Sequence, residues 1–169
     1  HLKDQEYQAP YSVFYQDGRA ATKRLRDLMG GDYFDFPKDE TVLQEIDAPV
    51  ITDFYAGAGN FSIPLACRGS TVTAVELDGH LTAYGEKLAA EQGVSDKVCF
   101  RTVSCEKYLK RNSAGPLAVL DPPRQGASEV VKHFDSAETG KVVYVSCNLP
   151  TLCRDLKILV QSGYSLEKV

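Results

Sequence analysis

The chain has 169 residues, of which 43% are hydrophobic and 25% are charged, and its formal net charge is −4. This balance is typical of a globular domain and excludes a disordered tail or a collagen-like chain. No apolar run approaches the roughly 20 residues that a membrane-spanning helix needs, so we expect no membrane partner. An acidic chain also lacks the general positive charge that attracts nucleic acids, so any surface that binds them must be local or lie on another domain.

The first six residues (HLKDQE) are polar and contain neither an initiator Met nor a signal-peptide core, which predicts a segment of a longer protein. The five cysteines are odd in number and form no CxxC pair. This usage predicts reduced thiols in a cytoplasmic protein and no metal site. Separately, we expect the protein to be a monomer. We expect Cys67 and Cys99 to be small buried hydrophobic side chains, and we see no role for Cys105 or Cys153.

In chain order, residues 1–49 form an aromatic and basic lead-in, with a predicted amphipathic helix over residues 20–29. Strands and helices then alternate through a predicted second region, residues 50–169. The predicted strands cover residues 50–55, 71–76, 98–103, 117–120, 141–146 and 165–169. The predicted helices cover residues 61–67, 81–91, 106–111, 129–134 and 152–161. This alternation predicts a doubly wound α/β fold with a mostly parallel sheet, whose last strand is incomplete at the end of the chain.

A glycine-rich turn follows the first predicted strand. Gly57 and Gly59 let the backbone turn sharply and approach a ligand closely, and the next helix offers free N–H groups. Ser62 occupies the place of the third glycine of a dinucleotide fingerprint, which disfavours NAD and favours a nucleoside without phosphates, such as S-adenosylmethionine. Glu76 ends the second strand, where a carboxylate can bind ribose hydroxyls. The alternative is a turn without a ligand, beside a solvated Glu.

Two further motifs end the fourth and fifth predicted strands. Pro122 and Pro123 make the segment after Asp121 rigid, which suits a wall against a flat base, and Arg124 can meet a phosphate or a carbonyl. The alternative is a stiff surface loop. Cys147 lies at the carboxyl edge of the sheet before a helix, where a nucleophile is well placed. For that helix we predict Thr151 as the N-cap and Asp155 in the first turn.

Three segments are similar to the motifs of one enzyme family. Residues 53–62 (DFYAGAGNFS) match D-x-Y-x-G-x-G-N-F-S, residues 121–126 (DPPRQG) match D-P-P-R-x-G, and residues 146–155 (SCNLPTLCRD) are similar to S-C-N-P-x-T-L-x-R-D. The chain therefore resembles the RNA uracil-5-methyltransferase family, whose members make 5-methyluridine in tRNA and ribosomal RNA. The resemblance extends from about Phe14 to the end of the chain. It implies a Rossmann-like class I fold, S-adenosyl-L-methionine as the cofactor and RNA as the partner.

The same resemblance implies roles for individual residues. Cys147 takes the place of the nucleophile. The expected cofactor contacts are Gln16, Tyr55, Gly57, Gly59, Asn60, Glu76 and Asp121. The expected substrate contacts are Arg124, Pro122, Pro123 and Asn148.

The chain departs from the family pattern at several positions. Leu149 replaces a Pro, which is found instead at Pro150, while Gly18 replaces an Asn and Ala56 a Cys. The family's general base, a Glu well downstream of the cysteine, and its N-terminal RNA-binding domain are expected outside this chain. We therefore expect the chain alone to bind the cofactor without turning over.

The implied mechanism explains why a thiol is needed. Addition of the Cys147 thiolate to C6 of uracil makes C5 nucleophilic, and a general base later removes the C5 proton. The uridine must be flipped out or single-stranded. RNA cytosine-5 methylation is an alternative, but those thiols usually follow Pro or Thr, whereas Cys147 follows Ser146. Amino-group methylation is disfavoured by Arg124, and a cofactor-binding domain without turnover is the non-enzymatic alternative.

Overall fold

A computed structural model describes residues 43–44 and 46–167, and the predicted helix over residues 20–29 and Gln16 lie outside this part. Five strands and five helices alternate along the described chain. The strands are β1 (Val50–Phe54), β2 (Thr71–Glu76), β3 (Val98–Thr102), β4 (Leu117–Leu120) and β5 (Lys141–Tyr144). The helices are α1 (Ser62–Cys67), α2 (Gly79–Glu91), α3 (Cys105–Leu109), α4 (Ser128–Val131) and α5 (Leu149–Gln161).

The strands form one parallel sheet in the order β3-β2-β1-β4-β5. The chain moves outward from β1 to β3 and then returns to place β4 on the other side of β1. The strand order therefore reverses between β1 and β4, which is the point where open α/β sheets bind their ligands. The predicted doubly wound α/β fold is confirmed.

Two apolar layers cover the two faces of the sheet. One layer packs Leu65 of α1 and Ala89 of α2 against strand residues such as Ile51. The other packs Val130 of α4 and Leu152 of α5 against the opposite strand faces. β4 is buried along its whole length because it lies inside the sheet with helices on both faces. A fully buried aliphatic side chain contributes about 1.5–3 kcal/mol, so these layers hold the carboxyl edge in place.

The helix boundaries follow local capping. The side chain of Asp78 accepts hydrogen bonds from the backbone N–H groups of His80 and Leu81 and starts α2 two residues before the predicted position. The side chain of Asn148 caps α5 by accepting a hydrogen bond from the Thr151 N–H. The predicted cap at Thr151 is therefore wrong. Residues 165–167 form no strand, in contrast to the predicted sixth strand, whose last two residues lie outside the described part. No described helix is long and apolar enough to cross a membrane.

Candidate functional site

The turn after β1 is built from left-handed backbone. Tyr55, Gly57 and Gly59 have φ angles of 61°, 57° and 91°. The glycines adopt this conformation freely, but Tyr55 does so at a cost of about 1 kcal/mol or more. We predicted Tyr55 as the last residue of the strand, and its strained backbone has no signal in the sequence. The Gly59 N–H donates to the Ala56 carbonyl at 2.9 Å, which closes the turn immediately before α1.

Glu76 holds this turn against the end of β2. Its Oε2 accepts a hydrogen bond from the Gly57 N–H at 2.9 Å, and its Oε1 accepts one from the Asp78 N–H at 2.9 Å. The structure therefore brings together the predicted glycine turn and its acidic partner. Each carboxylate oxygen has a further lone pair, so Glu76 can still accept bonds from a ligand. Asn60 is exposed at the end of the same turn.

Asp53 is the buried acid of the site. Its Oδ2 accepts a hydrogen bond from the Ser62 hydroxyl at 2.6 Å, and Oδ1 is the one buried side-chain polar atom of the described residues without a partner. Burial raises the pKa of Asp53 to about 7, the Ser62 bond opposes the shift, and the nearby charges of Asp121 and Glu76 add to it. Three carboxyl groups therefore act on one another at this edge, which favours a cationic ligand.

The segment after β4 lies beside the turn after β1. The Asp121 N–H donates to the Phe54 carbonyl at 3.4 Å, so the predicted contact residue Asp121 is held next to β1. Pro122 is buried, whereas Pro123 and Arg124 are exposed. The Gly126 N–H donates to the Pro123 carbonyl at 2.8 Å and closes a tight turn. We call residues 121–127 the proline loop.

Cys147 lies half-buried at the tip of a short turn after β5. The Ser146 hydroxyl donates to the Asn148 carbonyl and accepts from the Asn148 N–H, both at 3.1 Å. Asn148 then caps α5 by accepting a hydrogen bond from the Thr151 N–H at 3.2 Å. The predicted substrate contact Asn148 is thus engaged in holding the turn that presents the thiol.

Not all of the other cysteines lie where the sequence predicts. Cys67 and Cys99 are exposed, so the prediction that they are buried is wrong. Cys99 lies on the edge strand β3, which only one neighbouring strand covers, and Cys67 ends α1. Cys105 is buried, and burial raises its pKa to about 12 against an opposing backbone hydrogen bond from Tyr55. Such a thiol is a poor nucleophile at neutral pH.

Asp155 is the residue whose surroundings the sequence did not reveal. We predicted it in the first turn of a helix, but it lies in the second turn of α5 and is completely buried. Its Oδ2 accepts hydrogen bonds at 2.6 Å from the Ala127 N–H and the Tyr144 hydroxyl. Its Oδ1 is paired with Arg154 at 2.8 Å. Burial and the bond to Asp155 raise the pKa of Tyr144, which keeps its hydroxyl a donor.

The predicted residues thus collect at one edge of the sheet. The glycine turn, Glu76, the proline loop and the Cys147 turn follow the carboxyl ends of β1, β2, β4 and β5. No group of three His, Cys, Asp or Glu side chains among the described residues could hold a metal ion. The edge is therefore equipped with carboxylates, backbone donors and one half-buried thiol.

Curated relatives match most of the chain, although no protein-family model does. The 23S rRNA (uracil(1939)-C(5))-methyltransferase of Dichelobacter nodosus is 39% identical over 130 residues, which cover 75% of this chain and 31% of that protein. An uncharacterized RNA methyltransferase of Thermotoga maritima is 32% identical over 167 residues, which cover 98% of this chain and 36% of that protein. The chain spans about a third of the length of these relatives.

Solved structures agree with the sequence relatives. The tRNA (uracil-54, C5)-methyltransferase of Pyrococcus abyssi, solved with S-adenosyl-L-homocysteine, is similar with a TM-score of 0.64 and 26% identity over 87% of this chain and 33% of that chain. Precorrin-6y C5,15-methyltransferase of Geobacter metallireducens, at 16% identity and a TM-score of 0.64 over 75% of this chain and 71% of that chain, shares the fold alone. The motifs, the fold and these relatives together show that the chain belongs to the RNA uracil-5-methyltransferase family.

Proposed function

We propose that this chain binds S-adenosyl-L-methionine at the carboxyl edge of its sheet and supports methyl transfer to C5 of a uridine in RNA, with Cys147 as the nucleophile. The observation that carries the proposal is the position of the half-buried Cys147 thiol, in the turn after β5, which is the strand that pairs with β4 before the proline loop. The RNA substrate is inferred from relatives that are named as acting on 23S rRNA and tRNA.

The edge fits the cofactor chemically. S-adenosyl-L-methionine carries two cationic groups, the sulfonium and the ammonium, and supplies an electrophilic methyl group. Glu76 and Asp121 bring negative charge to the edge, and the Oδ1 of Asp53 is a buried polar atom without a partner among the described residues. Glu76 can accept hydrogen bonds from ribose hydroxyls. We also assign Tyr55, Gly57, Gly59 and Asn60 to the cofactor side, and Gln16 on the resemblance alone.

The thiol performs the step that uracil chemistry requires. The Cys147 sulfur forms a bond to C6, the C5–C6 double bond opens, and C5 gains nucleophilic character. C5 then takes the methyl group, whose bond to the sulfonium sulfur breaks so that neutral S-adenosyl-L-homocysteine is the leaving group. A base then removes the C5 proton. The electron pair of that C–H bond re-forms the double bond and expels the thiolate. On the resemblance, we also assign Pro122, Pro123 and Arg124 to contacts with the base or its phosphate. Asn148 holds the turn that contains the thiol and caps α5.

A covalent trap tests the proposal. In the full-length protein that contains this chain, RNA carrying 5-fluorouridine should form a covalent complex in the presence of S-adenosyl-L-methionine, because fluorine cannot leave as a proton. Cys147→Ala should form none while its affinity for S-adenosyl-L-homocysteine stays within about twofold of the unmutated protein, because the thiol acts on the base. Denaturing gels and calorimetry give the two readouts.

Cys153→Ala is the matched control, because Cys153 is an exposed thiol on α5 close to Cys147 in sequence. It should form the complex like the unmutated protein. A complex that persists in Cys147→Ala would contradict the assigned nucleophile. A complex with 5-fluorocytidine RNA instead of 5-fluorouridine RNA would favour cytosine-5 methylation. Cofactor binding without any complex would favour a binding domain without turnover.

A further inference from the structure

Three side chains of α5 hold successive backbone groups of the proline loop. The Thr151 hydroxyl donates to the Arg124 carbonyl at 3.1 Å, and Arg154 Nη2 donates to the Gln125 carbonyl at 2.8 Å. Asp155 Oδ2 accepts from the Ala127 N–H at 2.6 Å. The loop backbone is thereby tied to the first two turns of the helix that starts directly after Cys147.

Asp155 is the centre of this network. It is completely buried, and an ion taken out of water is tolerated only where it is paired and fully hydrogen-bonded. Both of its oxygens meet that condition: Oδ1 through Arg154, and Oδ2 through the loop and the Tyr144 hydroxyl. Tyr144 ends β5, three residues before Cys147, so one carboxylate joins the loop, the helix and the strand that precedes the thiol.

The loop is shaped to reach this carboxylate. Gly126 has a left-handed φ of 76°, and a Cβ at this position would lie 2.6 Å from Asp155 Oδ2 and 2.7 Å from Arg154 Nη2. A side chain would therefore push the loop off the pair, and only glycine fits the conformation and the space. Arg154 is half-exposed, whereas its partner carboxylate is fully buried, so the pair extends from the surface into the core.

We infer that Asp155, together with Arg154, is a positioning residue that fixes the proline loop relative to the Cys147 thiol, and so sets how the target base is presented to the nucleophile. This inference rests on the proposed function. Asp155 touches no reacting atom and acts through the loop backbone and the β5 end. A shift of about 1 Å between a reacting carbon and its nucleophile can cost up to about a hundredfold in rate, so loosening this connection should slow adduct formation.

Two substitutions in the full-length protein test the inference. Asp155→Asn preserves shape but removes the charge that pairs with Arg154, and Arg154→Lys alters only the half-exposed partner, so that variant is expected to fold. The rate constant for covalent complex formation with 5-fluorouridine RNA, at saturating RNA, should fall about tenfold in Asp155→Asn and at least about threefold in Arg154→Lys. The affinity for S-adenosyl-L-homocysteine should stay within about twofold, because Arg154 and Asp155 hold Gln125 and Ala127 at the far end of the loop from Asp121, and neither bonds the glycine turn or Glu76.

Arg68→Lys is the matched control. Arg68 Nη1 donates to the Leu43 carbonyl at 2.6 Å, a comparable bond between an arginine and a backbone carbonyl after α1. It should leave the rate unchanged. Unchanged rates per active molecule in both test variants, even with lower free energies of unfolding, would show a purely structural role and overturn the inference. An unmutated protein that binds S-adenosyl-L-homocysteine but never forms the complex would overturn the proposed function, and the positioning role with it.

Discussion

At the scale of single residues, Glu76 connects fold and proposed function most directly. Both of its oxygens already accept backbone N–H groups, which fixes the carboxylate beside the glycine turn before any ligand binds. A preorganised acceptor pays little conformational entropy when it binds a ribose. A substitution of Glu76 is therefore the one that best separates a loss of cofactor affinity from a loss of catalysis.

We expect Glu76→Ala to weaken binding of S-adenosyl-L-homocysteine by about 2–3 kcal/mol, because two charge-assisted hydrogen bonds to the ribose and the support of Gly57 are lost. Calorimetric titration measures this. Glu91→Ala, which removes an exposed carboxylate at the end of α2, should bind like the unmutated chain. An affinity of Glu76→Ala within threefold of the unmutated chain would refute the assignment.

At the scale of elements, the strands were predictable and the network around α5 was not. Runs such as residues 117–120 (LAVL) predict a strand because a parallel strand covered on both faces must be apolar throughout. α5 begins at Leu149, three residues before the prediction, because Pro150 is tolerated in a first helical turn and Asn148 supplies the cap.

The remaining site features depend on contacts between distant segments. The sequence predicts Asp155 only as an acid in the first turn of a helix, and the Ala127 N–H that bonds to it is 28 residues away. The D-P-P-R-x-G motif ends at Gly126. Why a glycine is needed there becomes clear only from the structure, in which the buried Asp155 carboxylate lies against it. The left-handed Tyr55 carries no local signal either. Motif matching could therefore predict which residues meet at the sheet edge, but not the bonds that fix their spacing.

At the scale of the whole molecule, Asp53 makes stability depend on pH. Its pKa is raised from 3.8 to about 7 in the folded chain, so between these values the folded state holds a proton that the unfolded state has lost. The contribution of Asp53 to the free energy of unfolding should therefore be greatest at and below about pH 4 and fall towards pH 7, by up to about 1.4 kcal/mol per pH unit.

Asp53→Asn should remove this dependence, so the variant should gain stability relative to the unmutated chain as pH rises from 4 to 8. Urea unfolding without cofactor at several pH values measures the difference. Asp96→Asn, at an exposed carboxyl group, should show no such trend. A difference between Asp53→Asn and the unmutated chain that stays constant over this range would contradict the role given to the buried carboxyl group.

The overall charge predicts the salt dependence with which the chain alone binds RNA. With a net charge of −4, its candidate phosphate contacts reduce to the sequence cluster Lys23, Arg24 and Arg26 and the exposed Arg124 of the proline loop. Four phosphate contacts on single-stranded RNA give a slope of log K against log salt no steeper than about −3. Fluorescence titration of a uridine-containing oligonucleotide at several salt concentrations should show this shallow slope.

Arg124→Gln should reduce the magnitude of this slope by about 0.7, whereas Lys157→Gln, at an exposed position of α5, should leave it unchanged. A slope steeper than about −5 would mean that a larger cationic surface of this chain meets the RNA, and that target recognition is not confined to the edge that carries Cys147.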